Sequence, residues 1–171
     1  MRHAALVALL GLLAFSVTPE ARTAEDATCA PAWSAVASPN PTAGKNRLAA
    51  VSSLSPTSAW AVGYSVDGSG NELPLVARWD GSAWTGANIA PASAGKSRLT
   101  GVAAIAANDV VAVGFTVQGD GDVVPLVERW NGTTWTASNP SAGVGDHRLL
   151  AVTATSSSEI TAVGYTHFGS G

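Results

Sequence analysis

Lys45-Asn46-Arg47-Leu48 returns as Lys96-Ser97-Arg98-Leu99, and Trp79-Asp80-Gly81-Ser82-Ala83-Trp84 returns as Trp130-Asn131-Gly132-Thr133-Thr134-Trp135, each 51 positions downstream. A chain that repeats at this interval builds its fold from one supersecondary unit used several times, each copy burying its apolar surface against its neighbours. Helical repeats of similar period need amphipathic runs, and none is present. Paired tryptophans and glycine-marked turns point instead to short strands.

The middle copy shows where each strand must stop. Leu99 to Ile105 alternates loosely and ends at Asn108-Asp109, a polar turn signal. Val110 to Thr116, rich in β-branched residues, is a second strand. Gln118 to Asp122 is a loop, and Pro125 opens a third strand, where a missing N–H does least damage. Leu126 to Trp130 runs into the hairpin signal Asn131-Gly132, Trp135 opens a fourth strand, and Asn139-Pro140 ends it. The first copy offers the same four strands from Arg47 to Asn88. A four-stranded antiparallel unit of about 50 residues has the size of a β-propeller blade.

Blades stack face to face, so bulky residues on one must meet small ones on the next. Trp60-Ala61-Val62-Gly63-Tyr64, Val111-Ala112-Val113-Gly114-Phe115 and Thr161-Ala162-Val163-Gly164-Tyr165 each alternate a larger residue with Ala or Gly. A large residue at Gly63, Gly114 or Gly164 is therefore expected to overpack the blade interface. Trp33 to Ala37 reads as an isolated fourth strand of the kind that closes a ring. The last copy stops at the loop after its second strand. The expected architecture is all-β: β-propeller-type blades of four antiparallel strands, about two and a half of them, in an incomplete ring. Its parts are a closing strand and linker (33–46), two blades (47–97 and 98–147) and a partial blade (148–171). A truncated product of a longer protein, or several chains closing a ring together as a homo-oligomer, accounts for the missing blades.

Met1-Arg2-His3 followed by the apolar run Ala4 to Val17 reads as an export signal over 1–24, with a leader over 25–32. The run is too short to span a bilayer, so a secreted protein with no membrane association after signal removal is expected. Seven basic residues then face eleven acidic ones, a net charge near −4. That balance, without a basic stripe, argues against nucleic-acid binding. Cys29 is the single cysteine, which excludes an internal disulfide.

The unit L-x-x-V, A-V-G-[YF], P-L-V-x-R-W-[DN]-G-x-x-W resembles the tryptophan-rich propeller repeats of secreted bacterial proteins, in the style of kelch and galactose-oxidase-type propellers. The resemblance covers Trp33 to the C-terminus and rests on Trp79, Gly81 and Trp84 with Trp130, Gly132 and Trp135. It implies a propeller in an extracellular setting. The paired glycines of kelch repeats are here Val62-Gly63 and Val113-Gly114. The sialidase-type aspartate box needs one residue between Asp and Gly, whereas Asp80 and Gly81 are adjacent.

Recurring residues in repeat proteins mostly maintain the scaffold. Arg47, Arg98 and Arg148 each precede the first strand of a blade, the strand that lines a propeller's channel. A partial ring of guanidinium groups there would hold a carboxylate or phosphate; alternatively each arginine bonds nearby backbone or an acidic residue and fixes the blade start. His147 and His167 replace Asn46/Ser97 and Val66/Val117. A hairpin would bring them together near Asp146, a set able to bind zinc or act as acid and base; alternatively they are two exposed histidines near the terminus. The loops Asp67 to Glu72 and Asp120 to Asp122 have oxygen-rich spacing, which turn chemistry explains without calcium. No catalytic set, metal or cofactor is implied. The expectation is a secreted, non-catalytic module binding an extracellular protein or glycan through its loops or channel mouth. The alternatives are a remnant of a propeller oxidase, lyase or glycosidase, and a self-assembling structural repeat.

Overall fold

A computed structural model describes residues 34–90, 95–140 and 143–168. The export signal, the leader, Cys29 and Trp33 lie outside the described residues. Ten strands and no helix occur among those described, in three antiparallel sheets that do not close into a barrel. The first sheet runs β1 (Asn46–Ser55), β2 (Ser58–Val66), β3 (Glu72–Trp79) and β4 (Trp84–Asn88). The second repeats it as β5 (Gly95–Ala106), β6 (Asp109–Gln118), β7 (Val123–Trp130) and β8 (Trp135–Ser138). A hairpin of β9 (Asp146–Ser156) and β10 (Glu159–His167) follows. Each sheet is a meander in which sequential strands pair, the order expected of a blade.

Residues 34–45 form no strand. The fourth strand expected over Trp33 to Ala37 is thus not formed over its described part, residues 34–37: a fourth strand pairs with the third strand of its own blade, and among the described residues the β9–β10 sheet has no third strand.

The prolines sit two residues deeper than expected. Pro125 is the third residue of β7 and pairs with Phe115; Pro74 is the third of β3 and pairs with Tyr64. Pro74 is tolerated because its carbonyl accepts from Ile89 N–H at 3.0 Å, just past the end of β4. In an antiparallel strand N and O of one residue point the same way, so the missing donor faces away from β2.

The hairpin turns at Asn131-Gly132 and Asp80-Gly81 span four residues, as the expected strand ends at Trp130 and Trp135 require. Trp130 pairs with Trp135, and Trp79 with Trp84 likewise. Asp80 Oδ1 accepts N–H from Ser82 and Ala83 at 2.8 and 2.9 Å, and Asn131 Oδ1 accepts from Thr133 and Thr134, both at 2.9 Å. These hydrogen bonds hold the Asp80 carboxyl down at about 2. Gly81 and Gly132 have φ of 99° and 97°, a region open to glycine.

Gly63, Gly114 and Gly164 correct another expectation. Each lies opposite an irregularity in the register: Leu48/Ala50 in β1, Leu99/Gly101 in β5 and Val163/Gly164 between β10 and β9. A Cβ at any of the three would collide with the carbonyl oxygen of Arg47, Arg98 or Arg148 in its own sheet. The glycines therefore accommodate a bulge within the blade, and the steric conflict precedes any at the blade interface.

Large meets small across the sheets. Trp60 and Val62 of β2 pack in one core cluster with Leu99 and Val102 of β5, Val110 and Ala112 of β6 and Leu126 of β7. The Trp60 ring packs against both members of the second sheet's tryptophan pair, with centroids 5.5 Å from Trp130 and 5.6 Å from Trp135. Three large apolar rings in mutual contact add aromatic interactions of about 0.5–1.5 kcal/mol per pair to their burial. Hydrogen bonds run sheet to sheet as well: Ala104 N–H to Ser52 Oγ at 3.1 Å, and Thr100 Oγ1–H to Leu149 O at 2.7 Å.

Candidate functional site

The arginines are placed by the starts of β1, β5 and β9, and the guanidinium groups of Arg98 and Arg148 reach the preceding sheet. Arg98 lies over the Tyr64 ring at 4.5 Å, and Arg148 over the Phe115 ring at 4.3 Å. Arg98 also forms a two-pronged ion pair with Glu72: Nε donates to Oε2, and Nη2 to Oε1 at 2.6 Å. The hydrogen bond from Arg98 holds Glu72 below the usual carboxylate range. The alternative reading, an arginine tied to an acidic neighbour, thus describes Arg98. In the next copy Val123 stands where Glu72 does, so Arg148 has the aromatic ring without that carboxylate. Arg47 is exposed, and among the described residues no ring lies under it.

The histidines come to neighbouring register positions but do not converge. His147 pairs with Thr166, and His167 with Asp146. Alternation along a strand then puts His147 on one face and His167 with Asp146 on the other. The His147 ring is occupied on its own face: Nε2 lies 3.2 Å from Val144 O, and Nδ1 lies 2.9 Å from Thr166 Oγ1. A carbonyl only accepts, so neutral His147 carries its proton on Nε2 and accepts the Thr166 hydroxyl at Nδ1. Asp146 Oδ1 accepts Val123 N–H at 3.2 Å. Among the described residues no group of three His, Cys, Asp or Glu side chains is arranged to hold a metal ion.

The oxygen-rich loops are closed by their own backbone. Asp67 Oδ1 accepts N–H from Ser69 and Asn71, each at 2.9 Å, and Oδ2 accepts from Asn71 Nδ2 at 2.9 Å. The Asn71 bonds lead the causes that lower the Asp67 pKa.

Two features escaped the sequence reading. A cleft of about 710 Å³ opens between the second sheet and the β9–β10 hairpin, lined by Gln118, Asp122, Pro125, Asn139, Asp146 and His147. These residues lie on four separate segments, which a linear reading does not bring together. Asn139 Nδ2 donates to Pro125 O at 2.9 Å and so fixes one wall. The second feature is Glu128, 1% exposed in the middle of β7 between Ala112 and Ala137, with Oε1 lacking a hydrogen-bond partner. Burial without a compensating donor raises its pKa to about 7. The only signal in the sequence was a glutamate where the first copy has Ala77.

Comparison with known proteins adds no relative: no family model matches the chain, and no curated protein is matched by it.

Proposed function

We propose that the chain is a secreted, non-catalytic propeller-type module that binds an extracellular protein or glycan at the cleft between the second sheet and the β9–β10 hairpin. One observation carries this reading. The arginines Arg98 and Arg148 are engaged in sheet-to-sheet contacts, while side chains that differ between copies line one concave surface: Gln118, Asp122, Asp146 and His147. A rigid scaffold of repeats with variable polar groups at one mouth is the arrangement of a binding surface. Amide and carboxylate groups beside the flat apolar edge of Pro125 suit a ligand with hydroxyl or amide donors and a weakly polar face, as sugars and peptide loops have.

The test is a glycan array together with capture from the surface fraction of the producing cell, run with the native chain and with a Gln118→Ala/Asp122→Ala variant. Retention by the native chain and loss in the variant supports the cleft. Blank results at high concentration, or capture that the variant leaves intact, overturn it.

A further inference from the structure

Beyond the cleft, and independent of it, the two ends of the stack present the two halves of one interface. Inside the chain that interface is complete. The second sheet offers the first a surface built from Leu99, Val102, Ala112 and Trp135, which Trp60 and Val62 fill. The first sheet carries the same surface on its opposite side, as a groove lined by Leu48, Val51, Ala61 and Trp84 with Val36 and Ser38 at its rim; Ala61 is buried at its floor, but among the described residues no sheet covers it. Val102 is 7% exposed and its counterpart Val51 is 65% exposed.

At the other end the relation is reversed. Val62 and Val113 are 0% and 1% exposed, whereas the corresponding Val163 of β10 is 59% exposed. Tyr64 and Phe115 are 9% and 6% exposed beneath Arg98 and Arg148, whereas Tyr165 is 50% exposed. Arg47 is the arginine without a ring, and Tyr165 the ring without an arginine, among the described residues. Isolated exposed valines need no explanation, but a contiguous apolar face whose counterpart is buried elsewhere in the same chain marks an interaction surface.

We infer that a second copy of this chain fills each face: the Leu48–Val51–Ala61–Trp84 groove of one molecule seats on the Val163–Tyr165 face of the next, with Arg47 over Tyr165. The occupant is another copy because the interface already exists between the first two sheets, down to the arginine stacked on the ring. The contact is head to tail, since the two faces differ, and it generates a ring or a linear array according to the rotation per step.

The experiment is size exclusion with light scattering on the native chain, Val51→Asp, Val163→Asp and an equimolar mixture of the two variants. Both valines are exposed, so neither change should disturb the fold, and circular dichroism melts verify that. The native chain is expected to show at least twice the single-chain mass. Each variant alone, with one face blocked, is expected at the single-chain mass or as a weak residue of it. The mixture is expected to return a twofold mass, because each variant keeps the face the other lacks. A native chain that stays single at all concentrations overturns the inference. So does a mixture that fails to pair, or a variant that assembles with itself as fully as the native chain does.

Discussion

Val102 and Val51 hold the same position in successive copies, one sealed between sheets and the other facing water. Phe115 and Tyr165 differ in the same way. The burial of a residue here is set by whether a neighbouring sheet lies on its side, and only secondarily by the residue itself. The middle sheet, covered on both faces, is a core; the first sheet and the β9–β10 hairpin each have one covered side. Area removed from water, and with it most of the stabilisation, follows the neighbour.

The largest expected difference between copies is at the tryptophan pairs. Trp130 packs on both Trp60 and Trp135, whereas Trp79 is, among the described residues, in ring contact with Trp84 alone. Trp130→Ala should lower unfolding free energy by about 3–5 kcal/mol, the range for a large core truncation, and Trp79→Ala by about 1–2 kcal/mol, both read from denaturant titrations. Equal losses would erase the distinction between covered and open sheets.

Next comes Gly114. Gly114→Ala drives a methyl group into the Arg98 carbonyl oxygen and should cost about 3 kcal/mol. Gly119→Ala, in the following turn with no atom near its added Cβ, should stay within about 0.5 kcal/mol. A mild Gly114→Ala would show that the bulge can relax.

Glu128 separates the sheets by pH. Its folded pKa, raised by burial, lies above the ordinary value of 4.5, so the folded state holds the proton longer than the unfolded chain does. Stability is therefore complete below about pH 4.5, falls as pH rises through 7, and is flat above, a loss of up to about 3 kcal/mol. Denaturation between pH 4 and 8 should show this slope, and Glu128→Gln should remove it. A slope that persists in the variant would assign it to other groups.

The smallest contrast is Val102→Ala, about 2 kcal/mol for two buried methyl groups and the space they leave, against Val51→Ala, within about 0.5 kcal/mol. If Val51→Ala costs as much as Val102→Ala at high protein concentration and little at low, the open groove is covered in solution by a second copy.

Much of the strand layout was legible in the sequence because it is local. The β-branched run at Val110 to Thr116, the turns at Asn108 and Asn131-Gly132, and the large-small alternation of Trp60-Ala61-Val62-Gly63-Tyr64 each express a preference of a few adjacent residues. The site was less legible because its geometry depends on register and on neighbouring sheets. His147 and His167 were near in pairing, but strand alternation sends them to opposite faces. Arg98 was recognised as recurrent, yet its partner ring belongs to the preceding sheet, 34 positions away in sequence. That ring did leave a trace, since each repeated arginine is accompanied by Tyr or Phe after the repeated Ala-Val-Gly. The bulges opposite Gly63 and Gly114 left none beyond the glycines themselves.

The meander order has a consequence for how such a chain comes into being. Because within each sheet every strand after the first pairs with the one just before it, a polypeptide emerging from its N-terminus finds the hydrogen-bonding partner of each such strand already made. Contacts within a sheet are short in sequence and close quickly, whereas the apolar front of each sheet must wait for the next copy to be delivered. During that interval Trp60 stands uncovered until Trp130 and Trp135, 70 and 75 residues later, arrive, so the delivery rate of the chain sets how long its stickiest surface is open to the wrong neighbour.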